Sequence, residues 1–190
     1  MPAGQIDVLM KVVSALEGLG IKYLVGGSFA SSAYGIPRAT MDVDLLASIR
    51  PEHAGPLATE LSPEFFVDDR AIERAAKEKR SFNVIHLESM FKVDVFVAEP
   101  EGFNAEQLER RRKERIGDDP EQTIYIATAE DIILAKLDWY RKGGEVSEQQ
   151  WRDILGVVRV QGDGLDREYL DLWAKRLGVD DLLDRALMER

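Results

Sequence analysis

The 190-residue chain is 45% hydrophobic and 32% charged, with 35 acidic against 25 basic residues and a formal net charge of −10. That much apolar material supports a core and excludes global disorder, and the lack of any cysteine excludes disulfides, thiolate metal centres and cysteine nucleophiles. The acidic balance disfavours blanket binding to nucleic acid or to an anionic membrane.

From the N-terminus, Ile6, Leu9, Met10, Val13 and Leu16 recur at helical spacing over 5–19, with Gly18 and Gly20 as the stop. The apolar run Tyr23–Val25 ends in Gly26-Gly27-Ser28, the pattern of a strand, a tight turn and a helix over 29–34 that stops at Gly35 and Pro37. Residues 41–47 alternate as a strand, with Asp42 and Asp44 on one face and Val43 and Leu45 on the other. A helix with proline in its first turn is predicted over 51–61, a short strand at 65–67 and a second helix at 71–79. Residues 82–87 and 91–97 read as two strands joined by a polar turn at 88–90, followed by a basic helix near 104–114 and a strand at 123–127.

From Thr128 onward only helical patterns remain, near 129–141, 148–160, 166–177 and 180–188, and Thr128 and Ser147 stand at N-cap positions. The predicted architecture is α+β: a mixed β-sheet flanked by helices over 1–127, followed by a C-terminal helical bundle over 128–190. The three tryptophans, 139, 151 and 173, fall at amphipathic positions of the helical part and are expected in its core. No apolar run reaches the ~18 residues of a membrane helix, and no basic leader precedes an apolar stretch, so a cytoplasmic protein without membrane attachment is expected.

Two aspartates at i and i+2 of a strand project from one face, with Cα atoms roughly 6–7 Å apart. Carboxylates that close repel unless a cation lies between them, and an all-oxygen set suits Mg²⁺ or Mn²⁺. Asp94 sits in Val93-Asp94-Val95-Phe96-Val97, where a charge amid apolar residues needs a partner or a metal. If its strand neighbours that of Asp42 and Asp44, three carboxylates converge; the alternative for Asp42-x-Asp44 is a surface pair. The turn Gly26-Gly27-Ser28 opens a helix and exposes backbone N–H groups, which favour a phosphate. Ser28 fits either a helix cap or a hydroxyl donor to a phosphate, and Arg38 either a phosphate contact or a surface ion pair. Lys136 has Ile132 and Ile133 behind it and Tyr140 ahead on the same helical face. It must snorkel, pair with an acid or meet an anionic ligand. The segments 70–80 and 109–115 hold ten of the 25 basic residues, as solvated faces or as a binding patch.

The stretch from Leu24-Val-Gly26-Gly27-Ser28 through Gly35-Ile-Pro-Arg38-Ala-Thr40-Met-Asp42-Val-Asp44, with 13 residues between Ser28 and Asp42, resembles the signature of the DNA-polymerase-β-like nucleotidyltransferase superfamily. Its Gly-x-Pro-Arg-x-Thr-x-Asp-x-Asp form is most similar to bacterial toxin and abortive-infection nucleotidyltransferases. The resemblance implies a nucleotidyltransferase-type sheet. Asp42, Asp44 and Asp94 would bind Mg²⁺ or Mn²⁺, and Asp94 would take the acceptor's proton. Gly26, Gly27 and Ser28, with Arg38 and Lys136, would hold the NTP. Glu130-Asp131-Ile-Ile-Leu-Ala-Lys136 is similar to the helix that supplies a phosphate-binding lysine in the toxin-type enzymes. The implied activity is transfer of an NMP from an NTP to an acceptor on tRNA, a protein or a small molecule, with an antitoxin as a partner in the toxin case. The alternative is a catalytically silent binding module of the same fold.

Overall fold

The computed structural model describes residues 3–37, 42–117, 119 and 122–189. In chain order the elements run α1 (Ala3–Gly18), β1 (Tyr23–Val25), α2 (Gly27–Tyr34), β2 (Asp42–Ala47), α3 (Ala54–Leu61), β3 (Phe65–Phe66), α4 (Asp69–Glu78), β4 (Ser81–His86) and β5 (Lys92–Val97). There follow α5 (Phe103–Arg110), β6 (Arg112–Arg115), β7 (Thr123–Ile126), α6 (Ala129–Lys142), α7 (Glu148–Gln161), α8 (Arg167–Leu177) and α9 (Asp180–Met188). Contacts group the chain into two compact units, Met1–Gly26 with Ala39–Ile126, and Gly27–Arg38 with Ala127–Arg190.

The first unit holds a seven-stranded sheet of order β3-β4-β5-β2-β1-β7-β6. β2 runs parallel to β5 and β1 parallel to β7; the other pairs are antiparallel. The parallel β2–β5 pair requires a long crossover, and the chain supplies it through α3, β3, α4 and the β4–β5 hairpin. Alternation sorts each central strand: Val43, Leu45 and Ala47 of β2 and Val93, Val95 and Val97 of β5 are buried, while the intervening residues are only partly so. β1 is buried along its whole length, as a strand inside a sheet with both faces covered must be. Among the helices of this unit, α1 packs on α3, α3 on α4, and α4 on β4. The hairpin turn after β4 is closed by His86, whose backbone N–H donates to Phe91 O at 2.9 Å and whose Nδ1 accepts from Ser89 N at 3.2 Å.

The basic segment after residue 102 differs from the expected helix over 104–114. The helix α5 stops at Arg110, and Arg112–Arg115 is an edge strand paired antiparallel with β7, Arg112 opposite Ile126 and Arg115 opposite Thr123. All four side chains of β6 are exposed, so no apolar period marks it as a strand; main-chain pairing with β7 decides it.

In the second unit α6 packs against α2, α7, α8 and α9. Ile133, Leu134 and Leu137 of α6, Ile154 and Val157 of α7 and Leu170 of α8 are fully buried. Thr128 and Ser147 accept hydrogen bonds from Asp131 N and Gln150 N, the expected caps, and Asp166 does the same for Tyr169 N. Trp151 and Trp173 are in the core, whereas Trp139 is 54% exposed, against the expectation for it. Its helix α6 has nine buried positions without it, so the ring falls outside the packed face. No helix among the described residues is long and apolar enough to cross a membrane.

The α2 C-terminus lies directly on the α7 backbone at Gly35. A Cβ there would meet Ser31 O at 2.8 Å and Val157 N at 2.9 Å, both of them main-chain atoms that cannot swing aside. Gly35→Ala is therefore expected to cost about 1–3 kcal/mol in urea denaturation. Gly55→Ala, inside α3 with nothing within 4 Å of the added carbon, should be neutral or stabilising by up to about 1 kcal/mol.

Candidate active site

The three aspartates share one face of the sheet. β2 and β5 pair in parallel register with Asp42 opposite Lys92 and Asp44 opposite Asp94. Because β2 and β5 both bury the alternate positions, Asp42, Asp44, Lys92 and Asp94 share the less buried face. Gly26 N donates to Asp44 O at 2.9 Å, so the Gly-Gly-Ser turn starts beside Asp44. The neighbour relation on which convergence depended is thus present.

Asp94 is engaged from two sides. Lys92 Nζ pairs with Oδ2 at 2.6 Å, and Asn83 Nδ2, from the opposing position on β4, donates to Oδ1. The hydrogen bond to Asp94 raises the Lys92 pKa above its ordinary value; partial desolvation opposes the rise, and the charges of Asp94, Asp42 and Asp44 add to it. Lys92 and Asn83 are the residues that sequence reasoning missed. Lys92 carried a signal, since it stands two residues before Asp94 on the same face. Asn83 carried none, because its position opposite Asp94 depends on the β4–β5 register.

Carboxylate oxygens from adjoining strands are the donor type that suits a hard divalent cation, and the Lys92 ammonium on this face is bonded to Asp94. Among the described residues, no three His, Cys, Asp or Glu side chains are already gathered into a ligand group. The carboxylates share a face, and Asp94 is held by Lys92 and Asn83.

Of the remaining predicted site residues, Gly27, Ser28 and Lys136 lie in the second unit. Gly27 opens α2 with φ +55°, a left-handed conformation that glycine adopts without steric cost. The helix begins two residues before the expected position, so Ser28 stands in its first turn rather than at the cap; its carbonyl accepts from Ser31 Oγ at 3.0 Å. Arg38 lies outside the described residues. Lys136 on α6 is 11% exposed and pairs with Asp153 on α7, itself 9% exposed, at 2.9 Å. Gln149 Nε2 donates to the other Asp153 oxygen at 2.9 Å. Of the three expected fates of Lys136, pairing with an acid is the one observed. Asp153, Gln149 and Arg152 also line a cavity of about 350 Å³ with Ser31 and Ile36, so the carboxylate end of the pair borders an opening. The neighbouring acids are structural: Asp131, fully buried, accepts from Tyr169 Oη at 2.6 Å and Thr128 Oγ1 at 2.9 Å, and Glu130 accepts from Asp166 N at 3.1 Å.

No family model and no curated protein matches the chain. Solved structures do. ANT(2'')-Ia in complex with adenylyl-2''-tobramycin aligns with a TM-score of 0.60 at 13% identity, over 93% of this chain and 98% of that one. An antigenic nucleotidyltransferase-like protein from Paracoccidioides brasiliensis gives 0.57 at 16% identity, over 98% and 93%. The lincosamide antibiotic adenylyltransferase LnuA, lincomycin-bound, gives 0.51 at 13% identity, over 80% and 95%. The fold is that of the nucleotidyltransferases: a mixed sheet with helices and a helical C-terminal part.

The buried Lys136–Asp153 pair yields a stability prediction. Asp153→Leu leaves the Lys136 ammonium without its carboxylate and should cost about 3–5 kcal/mol, whereas Lys136→Met combined with Asp153→Leu should cost clearly less. Urea denaturation of the single and double variants measures the coupling.

Proposed function

We propose that the chain is a metal-dependent nucleotidyltransferase that moves an NMP from an NTP to an acceptor hydroxyl and releases pyrophosphate. The observation that carries this reading is the register that sets Asp44 opposite Asp94, with Asp42 on the same face and the Gly26-Gly27-Ser28 turn beginning beside Asp44. The fold shared with two antibiotic adenylyltransferases supports it.

On this reading Asp42, Asp44 and Asp94 hold Mg²⁺ or Mn²⁺, which supplies positive charge to the attacking oxygen and to the leaving pyrophosphate. Asp94 takes the proton of the acceptor hydroxyl as the new oxygen–phosphorus bond forms and the bond to the β-phosphate oxygen breaks. The first N–H groups of α2, at Gly27 and Ser28, and the Ser28 hydroxyl donate to the triphosphate. Arg38 and Lys136 contribute charge to it. An ammonium has three donors, so Lys136 keeps Asp153 on one and offers the others to phosphate.

Two observations bear on the acceptor, and each favours a different class. Both adenylyltransferase neighbours carry small antibiotics or their adenylyl products, which favours a small-molecule hydroxyl. The toxin-type sequence signature and the exposed cations Arg112, Lys113 and Arg115 on β6 favour tRNA or a protein, with an antitoxin as partner, in the cytoplasm where NTPs are supplied.

MgATP at millimolar concentration should raise the melting temperature of the parent protein, because a ligand of the native state shifts unfolding. Asp42→Asn and Asp44→Asn should remove the shift. Asp94→Asn should lower pyrophosphate release with an accepting substrate by about 10²–10⁴-fold. No shift and no release with any of the four NTPs would defeat the reading. If tRNA is the acceptor, its binding should weaken steeply with salt, and neutralising Arg112, Lys113 and Arg115 together should flatten the slope by about three phosphate contacts.

A further inference from the structure

Among the described residues of β2 and β5, Lys92 is the charged residue of the carboxylate face that the transfer reaction leaves without a role. It stands opposite Asp42 and two residues before Asp94, and its ammonium is bonded to Asp94 Oδ2 at 2.6 Å. The second Asp94 oxygen is taken by Asn83. Both oxygens of the third aspartate are thus occupied by donors of this chain, and no three acidic or imidazole side chains among the described residues are gathered around a metal position. A divalent cation that ligates Asp94 must share an oxygen that already accepts from Lys92 or Asn83. Asn83 is a neutral donor and its loss changes no charge. Lys92 is a full positive charge, and a second cation cannot occupy the same carboxylate edge beside it without strong repulsion. The Lys92 side chain is 40% exposed on a flexible four-carbon stem, so it can leave towards solvent, whereas Asp94 is 17% exposed and fixed within β5.

We propose that Lys92 is a built-in counter-ion of the active site, seated on Asp94 in the metal-free protein and displaced when a divalent cation binds, so that this lysine sets the metal affinity of the site. The inference rests on the reading of Asp94 as a metal ligand. Lys92 gives a strand face that carries three aspartates a cation of the chain's own, paired with one of them. Metal loading is thereby weakened by the protein's own cation and is aided by anything that gives the released ammonium a new anionic partner, such as a polyphosphate.

Calorimetric titration of Mn²⁺ alone into the full chain tests this. Lys92→Gln should bind Mn²⁺ about ten-fold more tightly than the parent, the size of one charge-assisted contact between partly exposed groups. Lys92→Met, which keeps the aliphatic stem, should show the same gain, and Lys92→Arg, which keeps the charge, should behave as the parent. Adding Asp42→Asn to Lys92→Gln should erase the gain. Equal or weaker binding by the Gln and Met variants overturns the counter-ion; if that binding still falls on Asp42→Asn, the metal site and the nucleotidyltransferase reading stand without it. A gain that survives Asp42→Asn also overturns the inference, because the metal then sits elsewhere. Absence of Mn²⁺ binding in every variant overturns both the counter-ion and the metal dependence.

Discussion

The parallel pairing of β2 with β5 is the constraint from which the rest follows. Its register is set by burial: Val43, Leu45 and Ala47 on one strand and Val93, Val95 and Val97 on the other all need the covered face. With a period of two, that requirement sends Asp42, Asp44, Lys92 and Asp94 to the opposite face and sets Asp44 directly beside Asp94. A slip by one residue on either strand would bury a carboxylate and expose the valines. Hydrophobic packing that never touches a ligand therefore aligns the polar groups that would.

A face so charged needs compensation, and the structure supplies it with short-range partners. Lys92 and Asn83 each engage one oxygen of Asp94. In the helical unit the same principle appears twice. Lys136 and Asp153, both nearly excluded from water, neutralise one another across α6 and α7. The fully buried Asp131 is satisfied by the hydroxyls of Thr128 and Tyr169, tying the start of α6 to α8. Buried carboxylates without such partners would carry a desolvation cost of several kcal/mol each. The difference between these clusters lies in access. Asp131 is sealed, Asp153 of the Lys136–Asp153 pair lines a cavity, and the Lys92 side chain is 40% exposed.

Neighbours at 13–16% identity share the architecture with little of the sequence. What such distant chains hold in common is the layout of strands and helices, and a layout hosts many chemistries. What distinguishes this chain within that layout is its own residues: the carboxylate register of β2 and β5, the glycine turn after β1 and the lysine paired with Asp94.

Read by itself, the sequence determined the order and type of nearly every element, because local signals were strong. Alternation marked β2 and β5, and helical spacing with Thr128 and Ser147 as caps marked α6 and α7. It also singled out Asp42, Asp44, Asp94 and Lys136, since a charge placed within an apolar pattern is visible without coordinates. Tertiary structure alone decided what those residues touch. That β5 lies beside β2, that Asn83 reaches Asp94 and that Lys136 meets Asp153 are pairings between segments 11 to 50 residues apart, which no local period encodes. The strand Arg112–Arg115 was hidden for the same reason: its four side chains are exposed, and only the backbone of β7 makes it a strand. Trp139 was misplaced because amphipathic position states which face a residue occupies, while the neighbouring helices decide how much of that face is covered.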